Sequence, residues 1–275
     1  MEQAKIQMLA EKAREIRLGA LEAVYNASSG HPGGSLSISD ILAYLYFEEM
    51  NVDPADPKKA DRDRFVLSKG HTAPALYATL AAKGYFGKEN LKTLRQVDSF
   101  LQGHPDMKHT PGVDMSSGSL GLGISAAAGM ALSAKISDET YRVYTIVGDG
   151  ESEEGQVWEA AMFSAHYKLD NLCAFIDWNG LQIDGKVTDV MNPTPLDEKF
   201  AAFGWNVVVI DAHDFEQIAA ACKAARACKG KPTAVICKSI KGKGVSFMEN
   251  QVGWHGSAPN DEQYATAVAE IKATM

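Results

Sequence analysis

Several things are scarce in this sequence, and each absence narrows the reading. Cysteine is rare: Cys173, Cys222, Cys228 and Cys237 are the four among 275 residues, and no two form a CxxC pair. That spacing argues against zinc and against a disulfide framework, and for reduced, buried thiols in a cytosolic protein. No apolar run approaches the ~20 residues that span a bilayer. The opening MEQAKIQMLAEKAREIR is charged and helical in pattern, unlike a signal peptide. Positive charge is in short supply, with 27 Lys and Arg against 35 Asp and Glu and a net charge of −8. The surface as a whole therefore repels nucleic acid and anionic membrane, and an anionic ligand has to bind in a local pocket. No GxGxxG opens a first βαβ unit, which argues against a nicotinamide-binding fold. No HxH, HExxH or Cys/His spacing suggests zinc. Repeats and low-complexity segments are absent as well. What is present is an ordinary globular composition, 45% apolar and 23% charged, long enough for one large domain over residues 1–275.

Apolar periodicity predicts a helix from Gln3 to Ser29, stopped by Gly30. A second helix, capped by Ser39 or Asp40, runs to about Met50. RFVLS reads as a short strand, and a helix follows from Thr72 to Ala82 with Gly84 as its stop. Residues Gln102 to Gly123 lack periodicity and are rich in Gly, Ser, His and Pro; a loop that long is usually functional. Ile124–Ile136 is a helix of small residues. Strands are then expected at Tyr141–Val147, Leu172–Asp177, Val207–Asp211 and Thr233–Ser239. Helices between them cover Ser152–Tyr167, Leu196–Phe203 and Phe215–Cys228. The strands are near-continuous apolar runs, as when helices cover both faces of a sheet. The expected fold is α/β, a three-layer, doubly wound, mostly parallel sheet. A loop and a helix at Asp261–Thr274 form a tail over about 241–275.

Of the seven histidines, four sit beside Gly or Pro: His31 in GHPGG, His71 in KGHTAP, His104 in QGHPD and His255 in WHG. Turn residues place these rings on loops, where an imidazole can donate and accept protons near neutral pH. His166 and His213 read as structural, and His109 is ambiguous. The sharpest signal is YRVYTIVGDGESEEGQVWEA, a buried strand ending in Gly148-Asp149-Gly150. Open α/β sheets bind ligands at the C-terminal ends of their strands. The next strand ends in Asn179-Gly180. Two oxygen donors there, Asp149 and Asn179, can hold Mg²⁺ and through it a diphosphate; GDG by itself is also an ordinary turn. Glu151 and Glu153 read as solvated carboxylates of a first helical turn.

Read together and in order, SSGHPGGSLS, DRFVLSKGHTAPALYA, GHPD, GVDMSSGSLGLGISAAAGMA, VGDGESEEGQVWEA and DWNGLQIDG resemble the thiamine diphosphate enzymes, specifically the N-terminal half of transketolase. The resemblance covers nearly the whole chain. It implies a thiamine diphosphate-binding fold and ketol transfer: the C2–C3 bond of a ketose breaks and a two-carbon unit moves to an aldehyde. It implies Mg²⁺, or Ca²⁺ or Mn²⁺, on Asp149, Asn179 and the carbonyl of Leu181. His71, Gly150 and Asn179 would contact the diphosphate, and Gly118-Ser119-Leu120 the aminopyrimidine. Glu154 would join a carboxylate relay between two active sites, and Glu159 would support that subunit contact. His31 and His104 would face the sugar. The sequence departs from the family at Ser119, where proline is usual, and at Val252. The family's late run carries two histidines; His255 matches the second and Val252 stands at the first.

A full transketolase is about twice this length. The glutamate that activates the pyrimidine, the aromatic residues stacked on it and most of the sugar-phosphate grip come from its other domain, and no candidate for them is found in this sequence. The chain thus resembles the N-terminal subunit of a split transketolase. It would be inactive alone and be completed by a pyrimidine-binding C-terminal subunit, in an α2β2 assembly in the cytoplasm. Sugar phosphates of the pentose phosphate pathway are the implied substrates. Other readings are the α subunit of a 2-oxo acid decarboxylase or dehydrogenase, part of an enzyme like 1-deoxyxylulose-5-phosphate synthase, a transketolase for a sulfosugar or branched sugar, and a non-catalytic binding subunit.

Overall fold

A computed structural model describes residues 1–273. Five strands, β1 (Arg64–Leu67), β2 (Val143–Gly148), β3 (Leu172–Trp178), β6 (Asn206–Asp211) and β7 (Thr233–Lys238), form one sheet in the order β1-β2-β3-β7-β6. Every pairing in it is parallel. A two-stranded antiparallel ribbon, β4 (Leu181–Gln182) and β5 (Gly185–Lys186), stands apart from it. The sequence reading did not contain this ribbon, because two-residue strands carry no periodicity.

Alternation along the strands sorts the core into two layers. Phe65, Leu67, Tyr144, Ile146, Cys173, Phe175, Val235 and Cys237 face one side. There they pack against α1 (Gln3–Ala27), α3 (Ser39–Tyr44), α4 (Ala73–Lys83) and α9 (Phe215–Ala227). Val66, Val143, Val147, Leu172, Ala174, Ile176, Ala234 and Ile236 face the other. Against them lie α5 (Leu122–Ile136), α6 (Gly155–His166) and α8 (Leu196–Ala202). Both faces are covered, which explains why the strands read as unbroken apolar runs. The helices α2 (Pro32–Ser37) and α7 (Val187–Val190) are short, and α10 (Asp261–Ala273) packs its Ala267 and Ile271 with Leu21, Leu36, Val245 and Met248. The helix end expected at Thr274 lies outside the described residues.

Some boundaries differ from expectation. The first helix stops at Ala27, with Ser28 as its left-handed C-cap at φ 48°, two residues before Gly30. The segment from 32 to 49 is broken into α2, α3 and a π-turn at Leu45–Glu49, and neither Ser39 nor Asp40 caps it. Asp40 is buried instead, paired with Arg17 and hydrogen-bonded by His213 Nδ1 at 2.7 Å. Its carboxyl is held down to about 2 by those two partners against the cost of burial. His213 is thus structural: its Nε2 accepts from the Ile240 N–H at 3.0 Å. The helix expected from Ser152 begins at Gly155, after a 3₁₀ turn over Gly150–Glu153. Cys173, Cys222 and Cys237 are buried thiols, and Cys228 is half-buried.

Candidate active site

Parallel strands place all their C-terminal ends along one edge, so the loops leaving β1, β2, β3 and β7 meet. Ser68-Lys69-Gly70-His71 follows β1, Asp149-Gly150 follows β2, Asn179-Gly180-Leu181 follows β3, and Ser239-Ile240-Lys241 follows β7. The N-terminus of α5 is drawn against β1: a Cβ on Gly123 would lie 2.4 Å from the Cα of Ser68, so only glycine permits this approach. The loops enclose a cavity of about 250 Å³. Of the residues expected from the sequence, His71, Gly118, Leu120, Asp149, Gly150, Asn179, Leu181 and His255 line it. Ser119, Glu154 and Glu159 are exposed outside that lining.

Asp149 is only 2% exposed. Its Oδ1 accepts the Gly150 N–H at 2.9 Å and its Oδ2 the Gly180 N–H. Those bonds do not offset desolvation and the nearby Asp177 carboxylate, which together push Asp149 up to about 6. No cationic side chain pairs with it among the described residues. A buried carboxylate in that state is suited to a metal ion. Among the described residues the Asn179 Oδ1 accepts only the Leu181 N–H, at 3.1 Å, and the Leu181 carbonyl accepts from the ammonium of Lys241 at 2.8 Å. One carboxylate, one amide oxygen and one carbonyl are hard donors of the kind that fit Mg²⁺. No group of three His, Cys, Asp or Glu poised for a metal occurs among the described residues, so a soft-metal site finds no support in the donor set.

The functional neighbourhood contains charged residues that sequence reasoning missed. Asp177 is fully buried, paired with Lys69, and accepts from Ser37 Oγ at 2.8 Å, from Ser239 Oγ and from Asn179 Nδ2 at 2.9 Å. Lys69 and its hydrogen bonds hold Asp177 below the ordinary carboxylate range despite burial. The bond to Nδ2 turns the Asn179 amide so that its oxygen, and not its nitrogen, is left for a ligand. Glu151 corrects the solvated reading: it is 3% exposed and accepts from Ser68 Oγ at 2.6 Å and from the N–H groups of Gly121 and Gly148, both at 2.9 Å. It fastens the 118–121 loop to the ends of β1 and β2. Lys241 is buried, contacts His255 Nδ1 at 2.8 Å, and is pushed down to about 8 by desolvation and by Lys69. Charged residues closing apolar strands or sitting in Gly-flanked loops were the available signal for all three.

The loop histidines converge. The rings of His31, His71 and His255 lie 5.1–5.4 Å apart, centroid to centroid. His104 lies against the other wall: a Cβ on Gly118 would be 3.3 Å from its ring. Burial is the leading cause that lowers all four, His31 to about 4, His255 to about 3, and His71 and His104 by direction. Neutral imidazoles result, each with one acceptor nitrogen; in His255 that nitrogen, Nδ1, is taken by the Lys241 ammonium, which leaves Nε2–H as a donor. The Nδ1 of His31 is buried without a partner among the described residues. His109 is exposed and paired with Asp106, away from the cluster.

Comparison with known proteins agrees with this geometry. The family model described as transketolase, thiamine diphosphate binding domain, matches residues 9–273. A 6-deoxy-6-sulfo-D-fructose transketolase subunit of Clostridium sp. (strain MSTE9) is 48% identical over 96% of this chain and 96% of its own length. An apulose-4-phosphate transketolase subunit of Phocaeicola vulgatus is 43% identical over 97% of this chain and 95% of its own. Transketolase of Homo sapiens is 41% identical over 93% of this chain, which spans only 40% of it. The crystal structure of transketolase from Campylobacter jejuni superposes with a TM-score of 0.91 at 33% identity, over 97% of this chain and 43% of that one. A parallel sheet whose strand ends carry Asp149 and Asn179, matched along nearly its whole length in these proteins, assigns the chain to the transketolase family, as its thiamine diphosphate-binding part.

Proposed function

We propose that this chain, as a single domain, is the diphosphate-binding subunit of a split transketolase that moves a two-carbon ketol unit between sugars in the cytoplasm. The observation that carries the reading is the convergence of Asp149, Asn179, Leu181, Lys241, His71 and His255 on one cavity, with the His31 ring against both of those histidines. Asp149, Asn179 and the Leu181 carbonyl would hold Mg²⁺, and His71, Gly150 and Lys241 the diphosphate oxygens. Bound thiamine diphosphate would supply a nucleophilic carbon and an electron sink. The protein's part is binding and proton handling. Lys241, only 2% exposed, meets phosphate charge in a dry site where the attraction is little screened. His31 and His104 would accept hydrogen bonds from the sugar hydroxyls and carry protons. The Gly118-Ser119-Leu120 stretch would approach the aminopyrimidine, held by Glu151. Glu154 and Glu159, both exposed, would serve the contact with a second active site.

The chain spans under half of single-chain transketolases, which supports a C-terminal, pyrimidine-binding partner in an α2β2 assembly. The test is ketol transfer by the chain alone and with its co-purified partner, with thiamine diphosphate and Mg²⁺ supplied. Turnover is expected only with the partner, and robust turnover by the lone chain would contradict the proposal. Pyruvate as donor separates it from the 2-oxo acid and deoxyxylulose phosphate readings. The relatives matched over their full length are named for a sulfosugar and for apulose 4-phosphate. This favours an unusual sugar, and such substrates belong in the donor screen beside xylulose 5-phosphate.

A further inference from the structure

A chain of polar contacts begins outside the cavity and ends on a residue within it. At its start, Arg17 of α1 donates to the Asp40 carboxylate from two guanidinium nitrogens. Asp40 Oδ2 also accepts from His213 Nδ1 at 2.7 Å. The second ring nitrogen of His213, Nε2, accepts the Ile240 N–H at 3.0 Å. Ile240 immediately precedes Lys241, which lines the cavity. There the Lys241 ammonium donates to the Leu181 carbonyl and meets His255 Nδ1, both at 2.8 Å. Arg17, Asp40 and Lys241 are buried, and the His213 side chain is nearly so.

The contacts fix the tautomer of His213. A backbone N–H only donates, so Nε2 carries its lone pair and Nδ1 the proton given to Asp40. The backbone around the ring is held independently. The His213 N–H donates to Asp211 Oδ1 at 2.8 Å, and Asp214 accepts the Glu216 and Gln217 N–H groups that open α9. On the other side of the bond, β7 ends at Lys238 and the chain leaves the sheet. The Ser239 N–H donates to the Trp178 carbonyl at 3.2 Å and the Gly242 N–H to the Gly33 carbonyl at 2.9 Å. Between those two anchors His213 holds Ile240 by a side chain. The support matters because an ammonium that is desolvated and close to Lys69 has no preference of its own for this place; the backbone that carries it decides where it points.

We infer that His213 is a positioning residue for Lys241: oriented by Asp40, its ring pins the Ile240 amide and so aims the ammonium into the diphosphate site. The inference rests on the diphosphate-binding reading of the cavity and adds the support on which its buried lysine depends.

The test uses two substitutions in the full chain that separate the two bonds of the ring. In His213→Asn the shorter amide donates to Asp40 from the place of Nδ1 and leaves the Ile240 N–H without its acceptor. In His213→Gln the amide oxygen reaches the place of Nε2 and accepts that N–H. Neither readout needs turnover. Calorimetry with pyrophosphate and Mg²⁺ should show binding weakened about 10-fold or more in His213→Asn and close to the parent in His213→Gln, the loss usual when the outer partner of a ligand group is removed. Trace acetylation of Lys241 by acetic anhydride, mapped by mass spectrometry, should be faster in His213→Asn and parent-like in His213→Gln. Three patterns overturn the inference. Two variants that match the parent make the bond idle, two that lose equally make the ring a packing element, and loss in His213→Gln alone gives the role to Asp40. Faster labelling without weaker pyrophosphate binding overturns it too. Hydrogen exchange in the parent needs no variant: the Ile240 amide should be protected, and exchange at the rate of an open loop would remove the anchor. A parent chain that binds no pyrophosphate would bring down the diphosphate reading instead, and the labelling rates would still decide whether His213 holds Lys241.

Discussion

Asp149 and Asp177 are both buried carboxylates at the ends of neighbouring strands, and their environments push them in opposite directions. Asp177 is paired with Lys69 and receives hydrogen bonds from Ser37, Ser239 and Asn179, which keep it ionised. Asp149 receives two backbone N–H bonds, faces Asp177 and is raised to about 6. Burial is common to the two, so the difference lies in the partners. It separates a carboxylate satisfied within the scaffold from one that is under-compensated. A carboxylate satisfied on every side has no oxygen to give a ligand. One that is desolvated and under-compensated gains most from binding one.

The largest expected effect tests that assignment directly. Asp149→Ala removes the proposed metal ligand, and ketol transfer by the reconstituted complex should fall by about 10³-fold or more, since a metal ion neutralising phosphate charge is worth several kcal/mol. A merely structural subunit would tolerate the change with activity intact. Next comes Asp177→Asn, which leaves the Lys69 ammonium buried without its counter-charge. Urea unfolding should show a loss of about 3–5 kcal/mol. In protein that still folds, the freed Asn179 amide should weaken Mg²⁺ binding about 10–100-fold, measured by calorimetry.

A smaller effect carries the opposite sign. Asp149 titrates near 6 when folded and near its ordinary value of 3.8 when unfolded. A raised carboxyl destabilises the fold above both values, and this cost fades as pH falls from about 6 to about 4. Asp149→Asn in the cofactor-free chain should therefore melt higher than the parent at pH 7.5, by about 1–3 kcal/mol equivalent. That gap should shrink on acidification. Equal melting at all pH values would show that Asp149 carries no such strain. Asp40 gives the mirror case. Its folded value of about 2 lies below the ordinary 3.8, so it contributes stability above about pH 4 that is lost as pH falls towards 2. Asp40→Asn should remove about 2 kcal/mol at neutral pH and flatten the acid limb of the stability profile between those values.

How far the site could be read from the sequence followed the range of its contacts. Asp149 and Asn179 were legible because each follows an apolar run and sits beside glycine, a pattern local in the chain. The histidines were legible for the same reason, each beside Gly or Pro. Glu151 was misread because its neighbours in sequence are acidic and polar, whereas its partner Ser68 is 83 residues away. Lys69 and Asp177 are 108 residues apart, and neither betrays the other. The π-turn at Leu45–Glu49 was hidden too, since the apolar run from Ile41 to Phe47 continues straight into it. Asp40 looked like a cap because aspartate favours that place; the Arg17 side chain offered a stronger partner.

By itself, the sequence determined the alternation of apolar strands and helices, hence a parallel sheet covered on both faces, and it determined where along the chain the binding loops fall. Those properties follow from period, punctuation and burial, which act between near neighbours. Tertiary structure alone decided which charges are satisfied: Asp177 by Lys69, Asp40 by Arg17, Glu151 by Ser68 and two backbone amides. It also set His213 between Asp40 and the backbone of Ile240. The free energy of a buried charge depends on the few groups within hydrogen-bonding reach, and folding, not chain order, brings those groups together.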